Sequence, residues 1–155
     1  MSRKSLLLVV GLVLAGAGAA GLALRSSPAV AQDVVIQVYK SPSCGCCGDW
    51  VDRMREAGFT VEVHDVADVS AIKAEYGVPG PLQACHTAIV GDYVVEGHVP
   101  PDLVRRMLAE RPRGQILAVP GMPAGSPGME QGGFKDPYDV ILYDRDAGPT
   151  VYASR

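Results

Sequence analysis

The stretch VVIQVYKSPSCGCCGDWVDRM, Val34 to Met54, changes its hydrophobic period partway along, and that change decides the fold. Val34-Val-Ile-Gln-Val-Tyr39 is a short run rich in β-branched residues and reads as a strand. From Cys47 onward the apolar positions recur at helical spacing: Cys47, Trp50 or Val51, then Met54, with Gly58 as the stop. Between strand and helix lie Cys44, Cys46 and Cys47, three cysteines within four consecutive positions. Cys44 and Cys47 stand at C-x-x-C spacing, which already makes a redox pair, so Cys46 needs a further explanation.

Working outward, Thr60-Val-Glu-Val-His-Asp65 alternates as a second strand. Asp68 to Tyr76 reads as a second helix, with Val69, Ile72 and Tyr76 on one face and Gly77 ending it. The runs His86–Val90 and Tyr93–Gly97 flank Gly91-Asp92 as a hairpin. Pro101 opens a third helix with Leu103, Val104, Met107 and Leu108 as its apolar face. The order strand, helix, strand, helix, hairpin, helix predicts an α/β, thioredoxin-like single domain. Ala118 to Pro137 shows no period and is dominated by Gly, Pro and Met, the mark of a functional or disordered loop. Tyr138–Tyr143 and Thr150–Ala153 then read as an added C-terminal β-hairpin.

The first thirty-one residues are set apart from this domain. Arg3 and Lys4 precede an uncharged run from Leu6 to Leu24, and Ala29-Val30-Ala31 has the small-x-small form of a signal-peptidase site. Residues 1–31 are therefore expected to be a signal peptide and 32–155 the exported, periplasmic domain, with no membrane attachment after cleavage. An uncleaved N-terminal anchor is the alternative, because the run is just long enough to span a bilayer. Ser2-Arg3-Lys4-Ser5-Leu6-Leu7 also resembles a twin-arginine export motif with Lys at the second arginine. Removing Arg3, Lys4 and Arg25 takes the 14 bases to 11 against 17 acids, a formal charge of −6, so no nucleic-acid partner is expected. In an oxidising compartment four cysteines can also be two inert bridges.

The cysteines themselves favour more. Unpaired amides and the dipole at a helix N-terminus favour a thiolate, so Cys44 is expected to be the exposed nucleophile and Cys47 the buried partner. Cys85 lies 38 positions after Cys47 but directly before the hairpin's first strand. In thioredoxin-like proteins that place carries a cis-proline packed on the C-x-x-C pair; here it reads Ala84-Cys85-His86-Thr87. Four cysteines and His86 are thus expected to converge. Adjacent Cys46 and Cys47 suit a single tetrahedral zinc poorly, whereas Cu(I) is soft, prefers thiolates and tolerates varied geometry. Thiolates bridge such ions, so crowded sulfurs can edge a small multinuclear cluster. Four thiolates with four Cu(I) ions sum to zero charge, which avoids burying an uncompensated one.

Cys44-x-Cys46-Cys47, Cys85-His86, Glu96-Gly97-His98-Val99-Pro100 and Pro120-Gly-Met122-Pro-x-Gly-Ser-Pro-Gly-Met129-Glu130 together resemble a family catalogued as a domain of unknown function. Its best-known members are the CopG copper-resistance proteins, distinct from the DNA-binding repressor of that name. The resemblance runs from about Val34 to Tyr143. It implies an exported thioredoxin-like protein that binds copper through its cysteines in copper handling or resistance, with Cu(I)/Cu(II) redox activity as one option. Copper ions and other periplasmic copper proteins are the partners it implies.

The expected metal set is Cys44, Cys46, Cys47, Cys85 and His86. His86 is either a ligand or a polar cover over the site. His98 reads first as a hydrogen bond closing the turn before Val99-Pro100-Pro101, with ligation second. His64, at the end of its strand, reads as a surface residue. Met122 and Met129 read first as flexible packing of the loop, with soft Cu(I) ligation as the alternative. The rival function from the enzyme class is a periplasmic thiol–disulfide oxidoreductase using Cys44 and Cys47.

Overall fold

The protein is described by a computed structural model covering residues 34–130 and 132–155. The expected signal peptide, residues 1–31, lies outside the described residues. Among these, no helix is long and apolar enough to cross a membrane.

Among the described residues seven strands form one mixed sheet accompanied by three α-helices. The chain runs β1 (Val35–Lys40), α1 (Gly45–Glu56), β2 (Thr60–Asp65), α2 (Ser70–Glu75), a short 3₁₀ turn (Gly80–Leu82), β3 (Thr87–Val90) and β4 (Tyr93–Glu96). It continues through α3 (Pro101–Glu110), β5 (Ile116–Ala118), β6 (Asp139–Asp144) and β7 (Gly148–Ser154). The sheet order is β2-β1-β3-β4-β5-β6-β7. β1 pairs parallel to β2 and antiparallel to β3, which pairs antiparallel to β4. Beyond them β4 and β5 are parallel, and β5, β6 and β7 are antiparallel.

Strand alternation divides the core between the two faces. Ile36, Val38, Ala88, Val90, Val95 and Leu117 point to the face covered by α1 and α3, where Trp50, Val51, Met54, Leu103, Val104 and Met107 meet them. Burying a side chain such as Val51 or Met54 there contributes about 1.5–3 kcal/mol relative to exposure. Val94, Ile116 and Ala118 point to the other face and pack with Val78 and Leu82. Gly91, at φ +60°, makes the tight β3–β4 turn that its residue type predicts.

Two features go beyond the expected order of elements. The added C-terminal hairpin forms as β6 and β7, and β5, a strand absent from the sequence reading, joins it to β4. All three β5 residues are buried, so no apolar–polar alternation marks them. On α2, Val69, Ile72 and Tyr76 are only half-buried, while Lys73 between them is 3% exposed.

Candidate metal and thiol site

Cys44 is the N-cap of α1 in extended conformation, and the chain turns through it so that Cys46 and Cys47 open the helix. Cys47 is fully buried on the helix's core face, with Cys44 and Cys46 half-buried. Cys44 and Cys47 are joined as a disulfide, and the Cys46 sulfur lies 3.6 Å from that of Cys44. Cys85 enters from the other side of the site, between the 3₁₀ turn and β3. The sulfurs of Cys44, Cys46, Cys47 and Cys85 all lie within 4.8 Å of one another. No cis peptide bond occurs among the described residues, so Cys85 occupies its place with an ordinary trans backbone.

Cys85 also joins a second group, with His86 and His98, whose donor atoms are equally close. His98 is fully buried and donates Nδ1–H to the carbonyl of Pro127 at 2.8 Å. Its neutral ring therefore presents Nε2 as an acceptor, 3.0 Å from the Cys85 sulfur. Burial pushes the Cys85 thiol up to about 12, and neighbouring Cys46 adds to the effect, so at neutral pH Cys85 is a thiol able to donate to His98. Burial in turn holds the His98 imidazole below its ordinary range.

His86 is completely buried, 4.5 Å from the ring of Trp50 and 5.1 Å from that of His98. Burial, aided by the charges of His98 and Lys73, holds it well below the ordinary imidazole range, so it is neutral. Its Nδ1 lies 3.3 Å from the Cys85 sulfur, while Nε2 is buried without a hydrogen-bond partner. Leaving a polar atom so costs about 1–3 kcal/mol. A His86 nitrogen beside the Cys85 sulfur, with the sulfurs of Cys44, Cys46 and Cys47 within 4.8 Å of that sulfur, is a donor set suited to a soft or borderline metal ion.

The Gly/Pro loop after β5 closes the remaining side. Pro127 holds His98, and Gly128 packs directly on the backbone of α1, so near to Cys46 and Trp50 that a Cβ would lie 2.8 Å from the Cys46 carbonyl oxygen. Glu130 accepts the Gly128 N–H at 2.7 Å and pairs with Arg53 of α1 at 3.0 Å. Met129, next to Gly128, is half-buried, whereas Met122 is 57% exposed. His64 stands away from the site on β2, stacked on Tyr39 and bonded to Gln37.

The structure therefore brings together Cys44, Cys46, Cys47, Cys85, His86 and His98. Sequence reading gave His98 a turn-closing role; its bond is instead to the distant Pro127, and its other nitrogen faces Cys85. Sequence reading missed Lys73 and Thr87, both buried next to the Cys85 segment, because a lysine in a helix and a threonine in a strand give no local sign of burial.

A family model described as a protein of unknown function, DUF411, matches residues 82–129. No curated protein matches the chain. Two solved structures, titled "Copper resistance protein copG- Form 2" and "Copper resistance protein copG- Form 1", are each 41% identical to it. They cover 79% of this chain and 98% and 97% of their own, with TM-scores of 0.75 and 0.74. With that identity over nearly the whole of those relatives, and with the cysteine and histidine group assembled at one place, the chain belongs to the DUF411 family of CopG-type proteins.

Proposed function

We propose that this is an exported copper-handling protein whose cargo is Cu(I), held as a small multinuclear cluster by Cys44, Cys46, Cys47 and Cys85 with His86 beside them. The observation that carries the reading is the gathering of four sulfurs, three from the start of α1 and one from the approach to β3, within 4.8 Å. The copper-resistance titles of the two similar structures support it. The arrangement β2-β1-β3-β4 with α1, α2 and α3 supports a thioredoxin-like reading of this domain, residues 32–155.

Copper would supply a soft ion able to bridge thiolates and to change by one electron. The chain's own part is proton and charge control. Cys85 is a thiol at neutral pH, so it gives up a proton when it binds metal, and affinity rises with pH. The imidazoles of His86 and His98 are neutral and leave nitrogen lone pairs available. The Cys44–Cys47 disulfide must be reduced, by two electrons and two protons from a thiol or phosphine, before all four sulfurs can serve. His98, Met122 and Met129 are secondary ligand candidates.

Anaerobic Cu(I) titration of the reduced protein, with elemental analysis, tests this: more than one copper per chain is expected. The unreduced protein should hold less, because Cys46 and Cys85 are then its only free thiols. Failure of the reduced protein to compete with a Cu(I) chelator would reject the reading.

The disulfide at the α1 N-terminus favours a second reading, a thiol–disulfide oxidoreductase using Cys44 and Cys47. Turnover of a dithiol substrate without bound copper distinguishes it. Export rests on the N-terminal pattern, and mass spectrometry of the exported chain should find Gln32 at its start; an intact Met1 in a membrane fraction would overturn cleavage.

A further inference from the structure

Behind Cys85, on the sheet face opposite α1, lies an ion pair that the donor set does not use. Lys73 of α2 and Glu96 at the end of β4 are 3% and 0% exposed and are bonded to each other. Replacing such a buried pair by apolar residues is often neutral or stabilising, so stability alone gives no reason for it. Its hydrogen bonds do. One Glu96 oxygen, Oε1, accepts the backbone N–H of Ala84 at 2.7 Å, and Oε2 accepts the Thr87 hydroxyl at 2.7 Å. Lys73 donates to the same Oε1 and, at 3.0 Å, to the Thr87 hydroxyl oxygen.

One carboxylate thus grips both ends of the segment Ala84-Cys85-His86-Thr87. The middle is held as well, since the carbonyl of His86 accepts the N–H of Gly97 at 3.0 Å. Gly97 has φ +71°, and a Cβ there would fall 2.6 Å from that of Ala84, so the segment rests directly on the backbone that follows Glu96. Strand alternation turns Thr87 toward the clamp and His86 toward Trp50 on the opposite face.

We propose that Lys73 and Glu96 form a positioning pair for Cys85 and His86, with Glu96 clamping the segment that carries both and Lys73 orienting the carboxylate. The clamp is independent of what the site binds; only its copper readout rests on the function proposed above.

Two doubly substituted proteins separate positioning from mere filling. Lys73→Met with Glu96→Gln removes the charges yet keeps an oxygen for Ala84 N–H and an amide N–H for the Thr87 hydroxyl. Lys73→Met with Glu96→Leu removes the charges and both grips. Alkylation of Cys85 by iodoacetamide, followed residue by residue by mass spectrometry in copper-free protein, reads the position of the sulfur. The Leu protein should alkylate Cys85 several-fold faster than wild type, and the Gln protein at close to the wild-type rate. Cu(I) affinity should fall by about 10–100-fold in the Leu protein, the loss usual when an outer partner of a ligand is removed, and stay near wild type in the Gln protein. Equal alkylation and equal copper affinity in the two proteins would overturn the proposal, whether both match wild type or both depart from it. If wild type takes up no Cu(I), the copper reading fails while the alkylation comparison still decides the clamp. If the Leu protein does not fold, Thr87→Val, which opens one grip only, replaces it, and a wild-type rate of Cys85 alkylation there would overturn the proposal.

Discussion

Gly128→Ala tests whether the Gly/Pro loop is a working wall of the site. Gly128 sits at φ +82°, and an added Cβ would lie 2.6 Å from the backbone nitrogen of Trp50 and 2.8 Å from the carbonyl oxygen of Cys46. Both atoms belong to the helical backbone of α1, which cannot give way as a flexible side chain would. A side chain in the left-handed region costs about 1–2 kcal/mol, and overpacking typically adds about 1–3 kcal/mol. Enduring the substitution in place therefore costs about 2–5 kcal/mol.

The loop has a cheaper escape, which is to lift off α1. That breaks the hydrogen bond from His98 to Pro127, worth about 1 kcal/mol, and the half-exposed Arg53–Glu130 pair, worth about 0–1 kcal/mol. Local undocking at about 1–2 kcal/mol should win, lowering the melting temperature by roughly 3–10 °C for a domain of this size. Hydrogen exchange should rise in residues 119–130 while the core strands keep their protection. Cu(I) affinity should fall too, since His98 loses the bond that orients its ring toward Cys85. A variant with the wild-type melting temperature and an equally protected loop would refute the reasoning.

Cys85→Ser should lower copper number and affinity together, because Cys85 is the one residue common to the cysteine quartet and the Cys85–His86–His98 group; unchanged values in a Cu(I) titration would count against the site. Cys46→Ser leaves the Cys44–Cys47 disulfide possible and should cost copper ions without unfolding the protein, as a chelator competition run beside a thermal melt can show. Wild-type copper stoichiometry there would put the oxidoreductase reading first. Acid should destabilise the copper-free protein: His86 and His98 are held below their ordinary range by burial, so the unfolded chain takes up their protons first. Stability is then fully present above about pH 6.5 and falls as the pH drops below it, by up to about 1.4 kcal/mol per pH unit for each histidine. Urea unfolding at pH 7.5, 6 and 5 checks this, and a flat profile would contradict it.

Much of this architecture is legible in the sequence where a local period carries it. Val34–Met54 changes from strand to helix where its apolar spacing changes, and Gly91-Asp92 announces the β3–β4 turn. Placing Cys85 opposite the three earlier cysteines needs no period, only the order of elements and the position before β3. What stays hidden depends on distant partners. β5 is three buried residues with no alternation, recognisable only once β4 and β6 flank it. Lys73 looks like a solvent residue on α2 until Glu96, 23 positions later, is seen to face it. The bond from His98 to Pro127 joins two loops separated by all of α3 and β5, and no residue pattern encodes their approach.

The competing functions are two uses of one set of sulfurs. A dithiol switch needs only Cys44 and Cys47, and the disulfide between them satisfies that need completely. It leaves no work for Cys46, although the Cys46 sulfur stands 3.6 Å from that of Cys44, where a stray thiol invites exchange and scrambling. It leaves none for Cys85 either, held as an unreactive thiol by its burial. A thiolate cluster employs all four sulfurs. It turns crowding into bridging, and metal charge offsets thiolate charge that could not otherwise be held so close together. On this argument Cys46 tips the balance: it is a hazard in a pure redox switch and a ligand in a copper site.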